Sequence, residues 1–450
     1  LKEKLNVKNK IILILLGLSM SSLGFSKGIE PIPEFSKDDR VLIFAPHPDD
    51  EAIGTGGVIQ KALKKGASVK VVCFTNGDHN ELAFIVYEKR LTFRKREFIH
   101  MGEIRTKETL AGMKSLGLRA EDVVFLGYPD FGTLNIFKNY WGDSKPYRDF
   151  LTRIKKVPYS ICLSPKAAYI GENILKDLEN VLAEFNPTKI FVSHPVDTNR
   201  DHRSLYLFLR VALWNLEGKI KQPDLYPYLI HAVRWPEPRG YHPELRISPP
   251  ERLAGSTIEW KQAVLTEEEI KAKHDAISFY ETQIEYNPQY LLTFARRNEI
   301  FGDYPFIDLV DQNSDEIKWQ DLDDDNNNEE VTDLVYAKKD NKLLVKMVLK
   351  RKIDKYFGLN VYIFGYSKKI NFSEMPKINI GVGIRGVRVR DKRQLMAIKD
   401  FDIKYEEKSV TIKMPLETIG DPDYILASVS ATVENSMTLD DTAWRILRMK

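Results

Sequence analysis

Apolar and polar positions alternate along this chain in two distinct rhythms. From Arg40 to about Leu213, short apolar runs, VLIFA (41–45), SVKVVCF (68–74), DVVFL (122–126) and KIFVS (189–193), are separated by stretches with helical periodicity. That alternation predicts an α/β unit, a Rossmann-like, mainly parallel sheet with flanking helices. Ligands of such sheets bind beyond the carboxyl ends of the strands, so the residues directly after each run are the ones to inspect. Further on, KLLVKMVLK, LNVYIFGYS, KINIGVGI, FDIKYEE, SVTIKMP and YILASVSATV follow one another at close spacing. That second rhythm predicts a C-terminal all-β sandwich of antiparallel strands.

The segments between these regions set the domain limits. The proline-rich stretch from Trp235 to Pro250 excludes a helix or a central strand and reads as an irregular excursion. A helix opens after Thr266, whose capping box closes on Glu269, and its pattern runs toward Tyr280. The composition turns acidic and polar over 313–330 (NSDEIKWQDLDDDNNNEE), the mark of a linker. The expected organisation is therefore a first domain over 27–312, an acidic linker over 313–330 and a β-sandwich over 331–450.

The first 26 residues run from lysine-rich through an apolar stretch, Ile11 to Leu18, to small residues. This is the order of a secretory signal, with cleavage expected after Gly24 or Ser26. The apolar stretch is far short of the about 20 residues a spanning helix needs, and no later segment reads as transmembrane. Export to the periplasm, the cell surface or the medium is the expectation. The formal charge of +3 is accounted for by Lys2, Lys4, Lys8 and Lys10 against Glu3, which leaves the remainder near neutral and argues against a nucleic-acid partner. Two isolated cysteines, Cys73 and Cys162, make neither a zinc-finger pattern nor a disulfide framework and read as packing residues, although an oxidising compartment would permit a bond between them.

The chemistry concentrates in two places. After the first strand comes APHPDDEAIGTGG (45–57), with one imidazole and three carboxylates inside five residues where a helix begins. So much ionisable chemistry in one turn is costly unless something binds it. Imidazole and carboxylate suit zinc: His47 and Asp50 could supply two ligands, leaving Asp49 free to handle a proton. A catalytic site needs a third ligand. SHPVDTNRDHRSL (193–205), after the fourth strand, offers His194, Asp197, Asp201 and His202 at the same edge. Iron or manganese would also suit such a ligand set.

With these residues in view the chain resembles the LmbE-like or PIG-L N-acetylglucosaminyl deacetylases, whose first motif is His-Pro-Asp-Asp after the opening strand. The resemblance spans about Arg40 to Phe301. It takes in Thr75-Asn76-Gly77-Asp78, Arg105-x-x-Glu108 opening a helix that ends near Leu116-Gly117, LGYPDFGTL (126–134), Lys273, Tyr280-x-x-Gln283 and Glu299-Ile300-Phe301. It implies a metal-dependent hydrolase that cuts the N-acetyl group of N-acetylglucosamine-type sugars or glycans to acetate and a free amine. His47, Asp50 and His202 would hold the metal, Asp49 would be the general base, Arg105 and Asp130 would face the sugar, and Asp201 would support the site. One departure stands out. The family's second motif reads Asp-x-His-Pro-Asp-His, and here Asn199 and Arg200 replace the first histidine and the proline. That histidine helps stabilise the oxyanion or leaving group; Asn199 can donate a hydrogen bond but carries no charge, and His194 is a candidate substitute near the substrate.

Two rival readings remain at this level: a catalytically impaired glycan-binding protein, suggested by Asn199, and a metal-dependent amidase on a non-glycan small molecule. The β-rich tail faintly resembles the carbohydrate-binding sandwiches of secreted glycan enzymes, with Tyr356, Tyr362, Tyr366 and Trp444 as candidate stacking platforms. The oligomeric state is not legible in the sequence.

Overall fold

A computed structural model describes residues 29–79, 95–142, 145–253, 255–312, 317–319, 330–433 and 437–450. The expected signal at 1–26 and most of the acidic linker lie outside them. In chain order the first unit comprises β1 (Glu30–Pro31), β2 (Arg40–Ala45), α1 (Asp50–Lys64), β3 (Ser68–Thr75), α2 (Lys95–Ser115), β4 (Val123–Tyr128), α3 (Thr133–Asn139), α4 (Gly171–Phe185), β5 (Lys189–Ser193), α5 (Arg200–Asn215), β6 (Asp224–Tyr228), β7 (Lys261–Val264), α6 (Glu267–Ile277), α7 (Glu281–Ile284), α8 (Pro288–Leu292) and β8 (Asn298–Phe301).

The eight strands form one sheet in the order β1-β7-β8-β6-β5-β2-β3-β4. From β6 to β4 every pairing is parallel, and β8 runs antiparallel to both β6 and β7. The apolar runs seen in the sequence become the central strands because both faces are covered; in β2 every residue after Arg40 is buried. From β2 the chain steps to β3 and β4 on one side, then returns to place β5 and β6 on the other. The crevice between β2 and β5 is therefore the topological switch point, where open α/β sheets bind ligands. Helix α1 lies tight against the sheet: a Cβ on Gly54 would come within 2.8 Å of the Tyr228 ring.

The second unit is a two-sheet sandwich. Its strands are β9 (Ile307–Leu309), β10 (Val331–Lys339), β11 (Lys342–Leu349), β12 (Phe357–Tyr366), β13 (Lys377–Gly383), β14 (Gly386–Asp391), β15 (Gln394–Leu395), β16 (Asp402–Glu406), β17 (Ser409–Pro415), β18 (Tyr424–Val433), β19 (Met437–Asp441) and β20 (Arg445–Met449). One sheet runs β10-β11-β17-β16; the other runs β15-β14-β13-β12-β18-β20-β9, with β19 beside β18. The two inner faces enclose a core of their own, with Val345, Met347, Ile363, Ile380, Ile412 and Val429 among its members.

Several expectations need correction. Strand β9 falls inside the expected first domain, yet it pairs in parallel with β20, so the sandwich takes a strand from before the acidic stretch and the boundary at 312 is too late. Arg105 does not open a helix; it sits in the middle of α2, which begins at Lys95. The Thr266–Glu269 capping box is present, but its helix stops at Ile277, short of Tyr280. Cys73 and Cys162 are buried and unbonded, in keeping with their reading as packing residues. Of the four aromatic residues offered as sugar platforms, Tyr366 and Trp444 are each 2% exposed and Tyr362 is packed against Lys138, whereas Tyr356 is 50% exposed.

Those buried aromatics belong to a seam between the two units. Trp444, Phe364, Tyr366 and Phe372 of the sandwich are continuous with the core of the α/β unit. Trp444, Phe364 and Phe372 surround Phe137 of α3 at 5.8–6.4 Å, and Trp214 of α5 stacks on Tyr424 at 4.5 Å with the rings 2° from parallel. Stacked and edge-on ring pairs of this kind contribute beyond the apolar area they bury.

Candidate metal centre

The loop after β2 turns sharply so that α1 can start at Asp50. Asp49, its N-cap residue, has φ 120°, a strained conformation for any side chain. Strain of about 1–3 kcal/mol per such residue persists only where the surroundings over-determine it. Here Arg105 does so, donating to the Pro48 carbonyl at 2.6 Å and to the Gly77 carbonyl at 2.9 Å, with Asp49 Oδ2 at 3.5 Å. Gly77 has φ 64° and lies so close to the Arg105 guanidinium that a Cβ could not be accommodated. The Thr-Asn-Gly-Asp turn and Arg105, far apart in sequence, thus form one clamp on the first motif.

Across the switch point, α5 carries the second motif. Asn199 caps this helix, its Oδ1 accepting the Asp201 N–H at 2.9 Å. This places His202 one turn in, facing His47. Three ligand atoms meet: Asp50 Oδ2 lies 3.2 Å from His47 Nδ1 and 3.1 Å from His202 Nε2, and the two nitrogens are 3.3 Å apart. Tetrahedral zinc with bonds of about 2.0–2.1 Å sets neighbouring ligand atoms roughly 3.3 Å apart. The triangle therefore has the dimensions of one face of such a site.

Behind each imidazole stands a carboxylate. His47 Nε2 is 3.1 Å from Asp130 Oδ1 and 3.4 Å from Asp201 Oδ2, and His202 Nδ1 is 3.1 Å from Asp197 Oδ2. Partners in these positions set ring orientation and tautomer in metal sites. They are themselves fixed. Asp201 accepts from the N–H groups of Phe131 and Thr133 and from the Thr133 hydroxyl, and Asp197 accepts from the N–H groups of Ile230 and His231.

The electrostatics point the same way. Burial works against a charge on His202, yet Asp197 and Asp50 push its imidazole up to about 9, and His47 is raised well above its usual value against the same penalty, chiefly by Asp130. Asp50, despite burial, is held well below the carboxylate range by the two histidines. Burial and the neighbouring Asp50 raise Asp49 well above its usual value, and Arg105 opposes them. A cluster so rich in buried carboxylates draws protons onto its imidazoles, and a divalent cation can take their place.

A cavity of about 560 Å³ opens on this centre, lined by His47, Asp49, Asp50, Arg105, Asp130 and Asn199 among others. Asp130 both lines it and holds His47. Phe131, 53% exposed, and Tyr286, 39% exposed, form its aromatic rim. His194 lies elsewhere. It is fully buried, stacked on Trp260 at 5.7 Å, and accepts the Val196 N–H, while burial pushes its imidazole down to about 3. It does not replace the missing histidine. Besides His47, two imidazoles line the cavity: His79, whose Nδ1 is 3.0 Å from the Asp130 carbonyl, and His231, beyond β6, with its ring 4.8 Å from that of His202 and its Nδ1 3.0 Å from the Tyr290 hydroxyl. Strand β6 reads DLYPY, as long as β5 but broken by proline, and so His231 does not stand out in the sequence. A histidine three residues beyond a strand would have been the signal.

Comparison with known proteins bears on this arrangement. Residues 42–213 match the family model described as PIG-L, GlcNAc-PI de-N-acetylase. A 1D-myo-inositol 2-acetamido-2-deoxy-alpha-D-glucopyranoside deacetylase of Mycobacterium sp. (strain KMS) is 32% identical over 105 residues, 23% of this chain and 30% of that protein. The equivalent protein of Corynebacterium glutamicum (strain R) is 35% identical over 80 residues, 18% of this chain and 27% of its own length. The alignments thus span less than a third of these relatives. Among solved structures, N,N'-diacetylchitobiose deacetylase from Pyrococcus horikoshii superposes with a TM-score of 0.36 at 20% identity, over 59% of this chain and 84% of that one. The matched segment contains both halves of the centre, and we conclude that the chain carries a PIG-L (LmbE-like) domain, followed by a C-terminal β domain.

Proposed function

We propose that the PIG-L domain hydrolyses the N-acetyl group of N-acetylglucosamine-type sugars or glycans, with a divalent metal, zinc before iron or manganese, held by His47, Asp50 and His202. The observation that carries this reading is the triangle of ligand atoms 3.1–3.3 Å apart, beside the strained Asp49, at the floor of the cavity. A metal at such a site supplies a Lewis acid that polarises an amide carbonyl and makes water easier to deprotonate.

The chain's own residues do the rest. Asp49 accepts a proton at its carboxylate from the attacking water and returns it to the departing nitrogen, so that water and the amide become acetate and a free amine. Arg105 keeps Asp49 in place and opposes the burial that favours its neutral form. With Oδ1 of Asn199 tied into the helix cap, the side-chain NH2 is the end left to donate toward charge developing on the acyl oxygen. The exposed rings of Phe131 and Tyr286 suit the apolar face of a sugar. The similarity to deacetylases of N-acetylated sugar conjugates supports this substrate class.

The leader-like N-terminus supports export, and no helix among the described residues is long and apolar enough to cross a membrane. The test of the catalytic reading is a panel of N-acetylated sugars and non-sugar acetamides, incubated with and without chelator, with acetate as the readout. Acetate from the sugars alone, lost with chelator and restored by added metal, is expected. Release from the non-sugar amides alone would favour the amidase. Metal binding without acetate from any substrate would favour an impaired glycan-binding protein, the reading that Asn199 keeps open.

A further inference from the structure

The sandwich has a cavity of its own, about 540 Å³, on the outer face of the sheet formed by β12, β13 and β14. Its floor is cleared by glycines: Gly358 on β12, and Gly381 and Gly383 on β13, face the same side as Asn360 because side chains alternate along a strand. Its wall is basic. Arg388 and Arg390, two residues apart on β14, project to that same side, and Arg385 stands in the turn that leads into β14. Tyr356, half exposed, stands at one end.

These arginines differ from the cations around them. Arg351 is paired with Glu330 at 2.9 Å and Lys352 with Glu407, whereas among the described residues no carboxylate forms an ion pair with Arg385, Arg388 or Arg390. The one carboxylate that lines the cavity, Asp354, is turned into its own loop, where Oδ1 accepts the N–H groups of Tyr356 and Phe357 at 2.7 and 2.8 Å. Three guanidinium forks, uncompensated, thus converge on a hollow in a chain whose charge is otherwise close to balanced. A guanidinium matches a carboxylate as a bidentate donor. An amide and an exposed phenol on the same surface are groups that recognise hydroxyls and the flat face of a pyranose ring.

We propose that this groove is a binding site for acidic carbohydrate, a chain of carboxylate-bearing sugars whose carboxylates engage Arg388, Arg390 and Arg385 while a ring lies over the glycine floor. It stands apart from the hydrolytic reading of the first domain, and its test needs no turnover. The full-length protein is titrated calorimetrically with hexagalacturonate, chitohexaose and a single-stranded DNA hexamer at low and at physiological salt. Hexagalacturonate should bind, more weakly as salt rises, and the other two at least 10-fold less tightly. R388Q/R390Q should reduce its affinity by about 10-fold or more with an unchanged melting temperature. Gly381→Leu supplies an independent arm. A Cβ there meets Asn360 Oδ1 at 3.5 Å and the Arg388 carbonyl at 3.8 Å, ordinary contacts, so the variant should fold and block the groove without altering its charge. Equal binding of DNA or of neutral chitohexaose, absence of hexagalacturonate binding, or full affinity in both folded variants would overturn the proposal.

Discussion

The metal centre and the seam between the two units both bury charge, and they satisfy it in opposite ways. At the seam, Lys377 is fully buried, yet its ammonium donates to the Phe372 and Met375 carbonyls at 2.5 and 2.9 Å and lies 3.7 Å from the centre of the Phe372 ring. Lys138 sits 3.6 Å above Tyr362, and burial pulls its ammonium down to about 7. Arg203 donates to the Thr442 carbonyl at 3.0 Å. These cations are met by carbonyls and rings within the fold. At the centre, carboxylates and imidazoles converge on one another at 3.1–3.4 Å, in groups of three that could hold a cation. Buried polarity met by carbonyls and rings is structural, whereas a cluster of ligand-type side chains lining a cavity is a candidate site.

The two regions are mechanically joined. Helix α5 carries Asp201 and His202 at its start and Arg203 and Trp214 at the seam; α3 holds Asp201 through Thr133 and meets the sandwich through Phe137. The β domain therefore braces both elements that present the second motif. Removing the chain beyond the linker is therefore expected to expose the seam of the first domain and to lower its stability.

The largest effect should come from the converging region. His202→Ala removes one vertex of the triangle, and the metal content should fall to near zero, with activity reduced more than 100-fold. Asp197→Asn, which disturbs only the partner behind His202, should cost about 10–100-fold. Equal metal content in wild type and His202→Ala, measured by atomic emission, would break the comparison. Asp49→Asn comes next: metal retained and turnover down about 100- to 10,000-fold, since the amide cannot accept the proton. Near-normal rates would place the base elsewhere.

The seam responds in stability. Trp444→Ala deletes a nearly fully buried indole from the ring cluster around Phe137, and such truncations cost about 3–5 kcal/mol. Chemical denaturation should show that loss while kcat, measured well below the melting temperature, stays close to wild type. A fall in kcat at full metal content would show that the brace on α5 also tunes the centre.

How much of this was legible follows the same division. The strands β2, β3, β4 and β5 stand out as apolar runs because both their faces are covered, and the residues after β2 and β5 stand out because ionisable groups are rare at such density. His47, Asp49 and Asp50 stand out for that reason, whereas the choice of His202 among His194, Asp197, Asp201 and His202 rests on the family resemblance. His231 does not stand out, since its strand DLYPY carries no periodic signal. The seam does not either: Tyr362, Tyr366 and Trp444 have the same composition whether they stack on a ligand or on Phe137 and Trp214, and only the packing tells which. The basic groove was equally hidden, because its arginines and glycines meet only once β12, β13 and β14 are in register.

The smallest effect concerns a group near the centre. Asp78, in the turn held by Arg105, is buried and accepts the Tyr159 hydroxyl at 2.6 Å. Burial pushes its carboxyl up to about 7, against that hydrogen bond and with help from Asp130 and Asp149. In the unfolded chain the same group titrates near 3.9. Between about pH 4 and pH 7 the folded protein therefore holds a proton that the unfolded chain has released. The stability this brings is complete below about pH 4 and is lost as pH rises through about 7. Asp78→Asn keeps the shape and a hydrogen-bond acceptor but never charges. The two proteins should therefore unfold alike at pH 4; the variant should gain from there upward, and its advantage, a few kcal/mol at most, should level off beyond about pH 7. Denaturant midpoints at pH 4, 6 and 8 measure it. If the variant loses ground instead as pH rises, the Asp78 carboxylate is stabilised in its charged form, and the turn then belongs with the charge network of the centre rather than with groups that the fold has already satisfied.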